Sequence, residues 1–137
     1  MITDKRQQLF ETLKEREYRR AFAADIGTGL AFQIRLMRED RGWTQEELAR
    51  RIDKRLETIS QWENPNYGRY TLKTLTELAN AYDVALIVRF AAFSELVDLL
   101  ASLTPERLAP PAFDKDIRRH TGSMAVAGDI SSETARR

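Results

Sequence analysis

The chain contains no cysteine, which excludes a disulfide framework and any thiolate nucleophile or thiolate metal ligand. It has one histidine, His120, set in a polar stretch beside Arg118 and Arg119. No cluster with Cys/His metal spacing exists. A glycine-rich phosphate loop is also missing, as is a nucleophile beside a base in a credible setting. An enzyme reading therefore has no set of nucleophile, base and charge stabiliser behind it, and no cofactor is expected. No stretch approaches the ~18 consecutive apolar residues of a membrane span. The opening residues, Met1-Ile-Thr-Asp-Lys-Arg6, lead into a charged helical stretch and not into the apolar centre of a signal peptide. A cytoplasmic protein without membrane contact is expected. Charge of one sign is scarce too, since 22 basic and 21 acidic residues leave a net charge of only +1. Its distribution therefore matters more than its sum.

What is present is 137 residues, 42% of them hydrophobic, enough for one domain plus extensions. The stretch from Gly42 to Asn64 organises the rest. Thr44 is a good N-cap, and Glu47 three residues later completes a capping box. Leu48, Ala49 and Ile52 form the apolar face of the helix that follows. Asp53-Lys54 is a short turn. A second helix carries Leu56, Ile59 and Trp62 at helical spacing and must end near Asn64, because Pro65 cannot continue it. Two short helices joined by a tight turn make a helix-turn-helix.

This block resembles the Cro and phage-repressor type of helix-turn-helix, also called xenobiotic-response-element-like. The matching residues are Thr44-Gln45-x-x-Leu48-Ala49 in the first helix and Ile59-Ser60-x-Trp62-Glu63-Asn64 in the second. Arg35-x-x-Arg38 before them and Leu72-x-x-Leu75-x-x-Leu78-Ala79 after them also fit. The resemblance covers about residues 29–82. Asp53 stands in the turn, where the family often has glycine, and Asp tolerates left-handed backbone better than most residues. The resemblance implies an all-α, lambda-repressor-like bundle that binds double-stranded DNA, with the second helix laid in the major groove.

Carried over residue by residue, the base contacts fall on Arg55, Leu56, Glu57 and Gln61. Glutamine reads adenine in a bidentate way, glutamate accepts from cytosine, and leucine touches a thymine methyl. The dull alternative is that all four are solvated surface. Gln45 would grip a phosphate with help from the amides of its helix N-terminus. Lys54, Asn64, Tyr67, Arg69 and Lys73 flank the second helix as further phosphate contacts, Tyr67 having packing under its own loop as the alternative. Arg38 and Glu63 are implied to form a partly buried ion pair of structural value. Trp43 and Trp62 read as core.

Outside the motif, residues 1–28 read as a helical extension. Leu9, Phe10 and Leu13 form one apolar cluster and Tyr18, Phe22 and Ile26 another, which fits either two short helices or one helix touching two surfaces. Gly27-Thr28-Gly29 is expected to break it, with Thr28 capping a helix from Leu30 to about Arg41 that Gly42 ends in left-handed geometry. Thr71 caps the helix carrying Leu72, Leu75, Leu78 and Tyr82. Residues 83–103 read as a strand–helix extension. Val84-Ala-Leu-Ile-Val-Arg-Phe90 is a β-branched run, and a lone strand needs a partner. That partner is either a second copy across a dimer axis or the N-terminal extension. Ser94 is expected to cap a helix reaching about Leu103. Residues 104–137 read as a polar, flexible tail with one possible turn at Thr104-Pro105-Glu106, and 114–137 as mostly disordered in isolation.

The reading is a nucleoid-associated, dimeric repressor that adds no chemistry. Its rival is the antitoxin of a toxin–antitoxin pair, which binds a toxin protein and controls its own operon.

Overall fold

The computed structural model describes residues 4–121. Among these the ordered elements are all helical. They are α1 (Lys5–Leu13), α2 (Arg16–Ala24), α3 (Ile26–Asp40), α4 (Gln45–Arg51), α5 (Leu56–Trp62), α6 (Leu72–Tyr82), α7 (Phe93–Ala101), α8 (Pro105–Leu108) and α9 (Phe113–Thr121). The core is built where α3, α4, α5 and α6 turn their apolar stripes toward one another. Ile34, Met37, Leu48, Ala49, Ile59, Trp62, Leu78 and Tyr82 are buried in one cluster, with Trp43, Ile52, Tyr67, Tyr70 and Val84 packed against it. The Tyr82 hydroxyl, buried among these residues, donates to the carbonyl of Ile34 at 2.7 Å. A buried phenol needs such a partner.

Helix ends follow from local chemistry. Thr44 accepts from the Glu47 amide, Thr71 from the Thr74 amide and Thr104 from the Arg107 amide, so three N-termini are capped by threonine. Three C-termini end in a left-handed residue: Gly42 at φ +71° after α3, Asp53 at φ +53° after α4, and Asp83 at φ +56° after α6. Each is followed by an amide that reaches back to the helix. Trp43 N–H donates to the Arg38 carbonyl (3.1 Å), Lys54 to Ala49 (2.9 Å) and Val84 to Ala79 (3.0 Å). This is the Schellman arrangement, which satisfies carbonyls the helix leaves free.

Several expectations need correction. No strand forms at 84–90. The segment is extended, but among the described residues no backbone hydrogen bond joins 85–91 to another segment. The N-terminal extension supplies no strand to pair with, because it is helical. It divides into two short helices, and α1 packs on α7, with Leu13 and Val97 the buried residue of each. Arg19 donates to the carbonyls of Leu13 and Lys14, closing the end of α1. Gly27-Thr28-Gly29 does not break the chain. It lies inside the first turns of α3, which starts at Ile26 after a single non-helical residue, Asp25. The penalty of glycine in a helix, about 1 kcal/mol each, is accepted there because one of these glycines meets backbone. Ser94 caps nothing; α7 begins two residues earlier than that cap would place it, at Phe93 after Ala92.

The tail is also more ordered than its composition suggests. Phe113–Thr121 is helical, with acidic residues in its first turn and Arg118, Arg119 and His120 in its last, the sense a helix dipole favours. Its start is held by the Phe113 amide, which donates to the Asp83 carbonyl at 2.9 Å. Arg41 holds the approach to it. One terminal nitrogen donates to the carbonyls of Tyr82 (2.8 Å) and Pro110 (3.2 Å), and the other to that of Met37 (3.2 Å). The remaining part of the expected disordered stretch, 122–137, lies outside the described residues.

Candidate nucleic-acid interface

The α4–turn–α5 unit fixes which side of α5 faces outward. Ile59 and Trp62 are buried in the core. Their burial leaves Glu57, Ser60 and Gln61 exposed, together with Arg55 and Leu56 at the start of the helix, while Thr58 is half-buried. All four residues expected to read bases are therefore on the accessible side. Arg55 is the N-cap residue, and its side chain makes no capping bond.

The two ends of α5 are anchored. At the N-terminal end, the left-handed Asp53 and the Lys54 amide bond to Ala49 set the angle between α4 and α5. At the C-terminal end, Glu63 meets Arg38 in a two-point ion pair, Arg38 Nε to Glu63 Oε2 at 2.7 Å and Nη2 to Oε1 at 2.9 Å. Only 12% of the Arg38 side chain and 4% of the Glu63 side chain is exposed. The third Arg38 nitrogen donates to the Trp43 carbonyl at 2.8 Å, so one guanidinium joins α3, the α3–α4 turn and the end of α5. The hydrogen bond to Glu63 raises the Arg38 pKa, against an opposing effect of burial.

The expected phosphate residues fall into different settings. Gln45, half-buried at the N-terminus of α4, donates through Nε2 to Glu63 Oε1 at 3.3 Å, a bond that sequence inspection misses because its partner lies 18 residues away. Lys54 lies 3.4 Å from Glu77, so its charge is shared with α6. Asn64 accepts through Oδ1 from the Asn66 amide at 2.9 Å and shapes its own turn. Tyr67 is half-buried with its ring edge-on to Tyr70, 5.0 Å between centroids. Arg69 and Lys73 are exposed, and neither has an ion pair among the described residues. The loop that carries Tyr67 and Arg69 is tied to α5 by the Tyr70 hydroxyl, which donates to the Trp62 carbonyl. Burial pushes the Tyr70 phenol up to about 12.

Arg41 and Arg51 were not singled out by the sequence. Trp43 and Tyr82 stack 5.7 Å apart, Arg51 lies over Trp43 at 3.9 Å and Arg41 over Tyr82 at 5.0 Å. Such cation–aromatic contacts keep Arg51 against the body of the domain. The signal that could have exposed Arg41 is its position directly before the left-handed Gly42, where a basic side chain meets free carbonyls.

A family described as helix-turn-helix matches residues 34–88, the span that holds the last seven residues of α3, all of α4 to α6 and the extended segment as far as Val88. Residues 34–88 are a helix-turn-helix domain of the Cro and phage-repressor type. The chain is also similar to two curated relatives. It is 37% identical over 59 residues to Antitoxin HipB of Escherichia coli strain K12, covering 43% of this chain and 66% of the relative. It is 36% identical over 59 residues to Antitoxin HipB of Escherichia coli O6:H1, covering 43% of this chain and 62% of that relative. The chain thus spans just under two thirds of the length of these relatives. No solved structure matches it significantly. The N-terminal helices α1 and α2 and the helices α7 to α9 lie outside the helix-turn-helix match.

Proposed function

We propose that this protein is a sequence-specific regulator that binds duplex DNA as a dimer, with α5 in the major groove of each half-site. The observation that carries the reading is the outward face of α5. Arg55, Leu56, Glu57 and Gln61 are exposed on a helix whose other face is locked into the core, in a domain of a DNA-binding type. Arg55, Leu56, Glu57 and Gln61 read base edges. Gln45, Lys54, Asn64, Tyr67, Arg69 and Lys73 supply phosphate contacts at the two ends of α5. A dimer supplies two recognition helices to a two-fold site. Residues 84–90 supply its interface, the extended segments pairing across the two-fold axis. Their apolar side chains stand in solvent in the single chain: Ile87 is 80% exposed, Val88 62% and Phe90 104%. Selection of binding sites from random duplexes, followed by titration against the selected and a scrambled duplex, tests the reading. Enrichment of a two-fold symmetric site is expected, and equal binding to both duplexes would refute sequence-specific control.

The name of the relatives favours a second reading, in which the protein is also the antitoxin of a toxin protein. A groove of about 620 Å³ between the extended segment and α7, lined by Ile87, Ala91, Leu96 and Leu99, is then a surface for the toxin. Co-expression with the product of the adjacent gene and co-purification through a tag on either chain separates the two readings.

A further inference from the structure

We propose that Gly27 and Thr28, in the first turn of α3 and outside the helix-turn-helix match, position the loop after α5 for its phosphate contact. This rests on the duplex-binding reading above. The loop spans residues 64–70 and carries Tyr67 and Arg69. It is fixed to the domain from two sides. On one side the Tyr70 hydroxyl donates to the Trp62 carbonyl at the end of α5. On the other side stands α3. The Thr28 hydroxyl donates to the Pro65 carbonyl at 3.2 Å, across 37 residues of chain. A Cβ built on Gly27 would lie 2.8 Å from the Gly68 Cα, which is backbone and cannot swing away as a side-chain end can. Gly68 itself sits at φ +61°, where a side chain is strained. Two glycines therefore allow helix and loop to touch backbone to backbone, and any side chain at 27 must push the loop outward.

The displaced part is the part that bears Arg69, whose guanidinium has no ion pair among the described residues and is exposed. The chain has a built-in control in the same turn. A Cβ on Gly29 would meet nothing within 4 Å, so Gly29→Ala changes helix propensity without touching the loop. Both glycines precede residue 34, where the family match begins. The first turn of α3 is thus part of the DNA interface without touching DNA, through Gly27 and Thr28 as positioning residues.

The test titrates the full chain and its Gly27→Ala, Gly29→Ala and Thr28→Val variants against selected and scrambled duplexes across salt, with thermal unfolding of each. Gly27→Ala is expected to weaken both duplexes alike by about tenfold and to flatten the salt slope by about one per half-site. Gly29→Ala should bind as the unaltered protein does. Thr28→Val, which keeps shape and removes only the hydrogen bond, should give a smaller loss in the same sense and serves where Gly27→Ala folds poorly. In an Arg69→Ala background, Gly27→Ala should cause a smaller loss than it does in the unaltered protein, because part of the contact it displaces is already gone. A merely structural role would lower the melting temperature and leave the salt slope unchanged. Binding and slope equal to the unaltered protein in both Gly27→Ala and Thr28→Val, or full additivity with Arg69→Ala, would overturn the proposal while the duplex-binding reading stands. Failure of the unaltered protein to bind any duplex would overturn that reading, and this one with it.

Discussion

At the scale of single residues, the proposed interface separates base contacts at α5 from phosphate contacts beside it. Gln61 lies one turn beyond Glu57 and on the same side of the helix. Gln61→Ala is expected to lose roughly 1–3 kcal/mol per half-site on the selected duplex. Stability should stay within about 0.5 kcal/mol, since no core contact is touched. Lys54→Ala is expected to weaken selected and scrambled duplexes alike and to flatten the salt slope by no more than about one per half-site. Its ion pair with Glu77 already claims part of that charge. Fluorescence titration of both variants against both duplexes checks the contrast. Equal losses for Gln61→Ala on the two duplexes would remove it from base reading. The Arg38–Glu63 pair behaves differently, because it is nearly dry. Glu63→Ala leaves Arg38 as a part-buried cation held only by the Trp43 carbonyl and removes the acceptor of Gln45, so a loss approaching the roughly 3–5 kcal/mol of a broken buried pair is expected. Urea unfolding measures it, and a loss below about 1 kcal/mol would place the pair with ordinary surface salt bridges.

At the scale of elements, the turn between α4 and α5 is a Schellman cap built on an aspartate. Asp53 holds a left-handed conformation that costs a non-glycine residue roughly 1–2 kcal/mol, partly offset by the greater freedom glycine gives the unfolded chain. Asp53→Gly is therefore expected to stabilise the chain by up to about 1 kcal/mol without altering duplex affinity, read by urea unfolding and titration. A destabilised variant would mean that the Asp53 side chain contributes more than its backbone costs. The extended 84–90 segment is the other element with a clear consequence. Ile87 and Phe90 are exposed in the single chain, so Ile87→Asp combined with Phe90→Asp should leave the folded monomer intact. The same pair of carboxylates would lie like charge against like charge across a two-fold strand pair. Light scattering on the full chain should report a dimer for the unaltered protein and a monomer for the double variant. An unchanged dimer would move the interface elsewhere.

At the scale of the whole molecule, the helix-turn-helix domain is clasped by the segments before and after it. Arg41 gathers the ends of α3 and α6 and the approach to α9 through the carbonyls of Met37, Tyr82 and Pro110. Burial lowers its pKa, but the three carbonyls and two ring faces keep the cation supplied with partners. The same burial acts on phenols in the opposite direction, raising Tyr82 strongly and Tyr70 to about 12. The folded chain thus holds these protons more tightly than the unfolded chain does. Their contribution is complete below about pH 10, the ordinary phenol value, and is lost as pH rises toward 12. Thermal unfolding should show a fall in stability over that alkaline range, smaller in Tyr70→Phe, although that variant loses the bond to Trp62 at every pH. A flat alkaline profile would contradict the burial of both phenols.

The sequence by itself determined what depends on neighbours within a few residues. Thr44 and Glu47 place a helix start, Pro65 ends α5, Gly42 takes the left-handed cap, and the apolar spacing of Leu48, Ile59, Trp62 and Leu78 selects the buried faces. Since α5 has only one face that can be buried, its outward residues were legible before any coordinates. Tertiary structure decided everything whose partner is distant in the chain. A β-branched run at 84–90 forms no strand, because a strand is stabilised by a ladder that no other segment of the described chain offers. Gly27 and Gly29 read as a break, yet they lie in a helix whose packing against Gly68 requires one of them. Phe113–Thr121 is polar enough to read as disordered, yet its start is fixed by a bond to Asp83 thirty residues earlier. Gln45 turns toward Glu63 because Arg38 has already drawn that carboxylate under the end of α5.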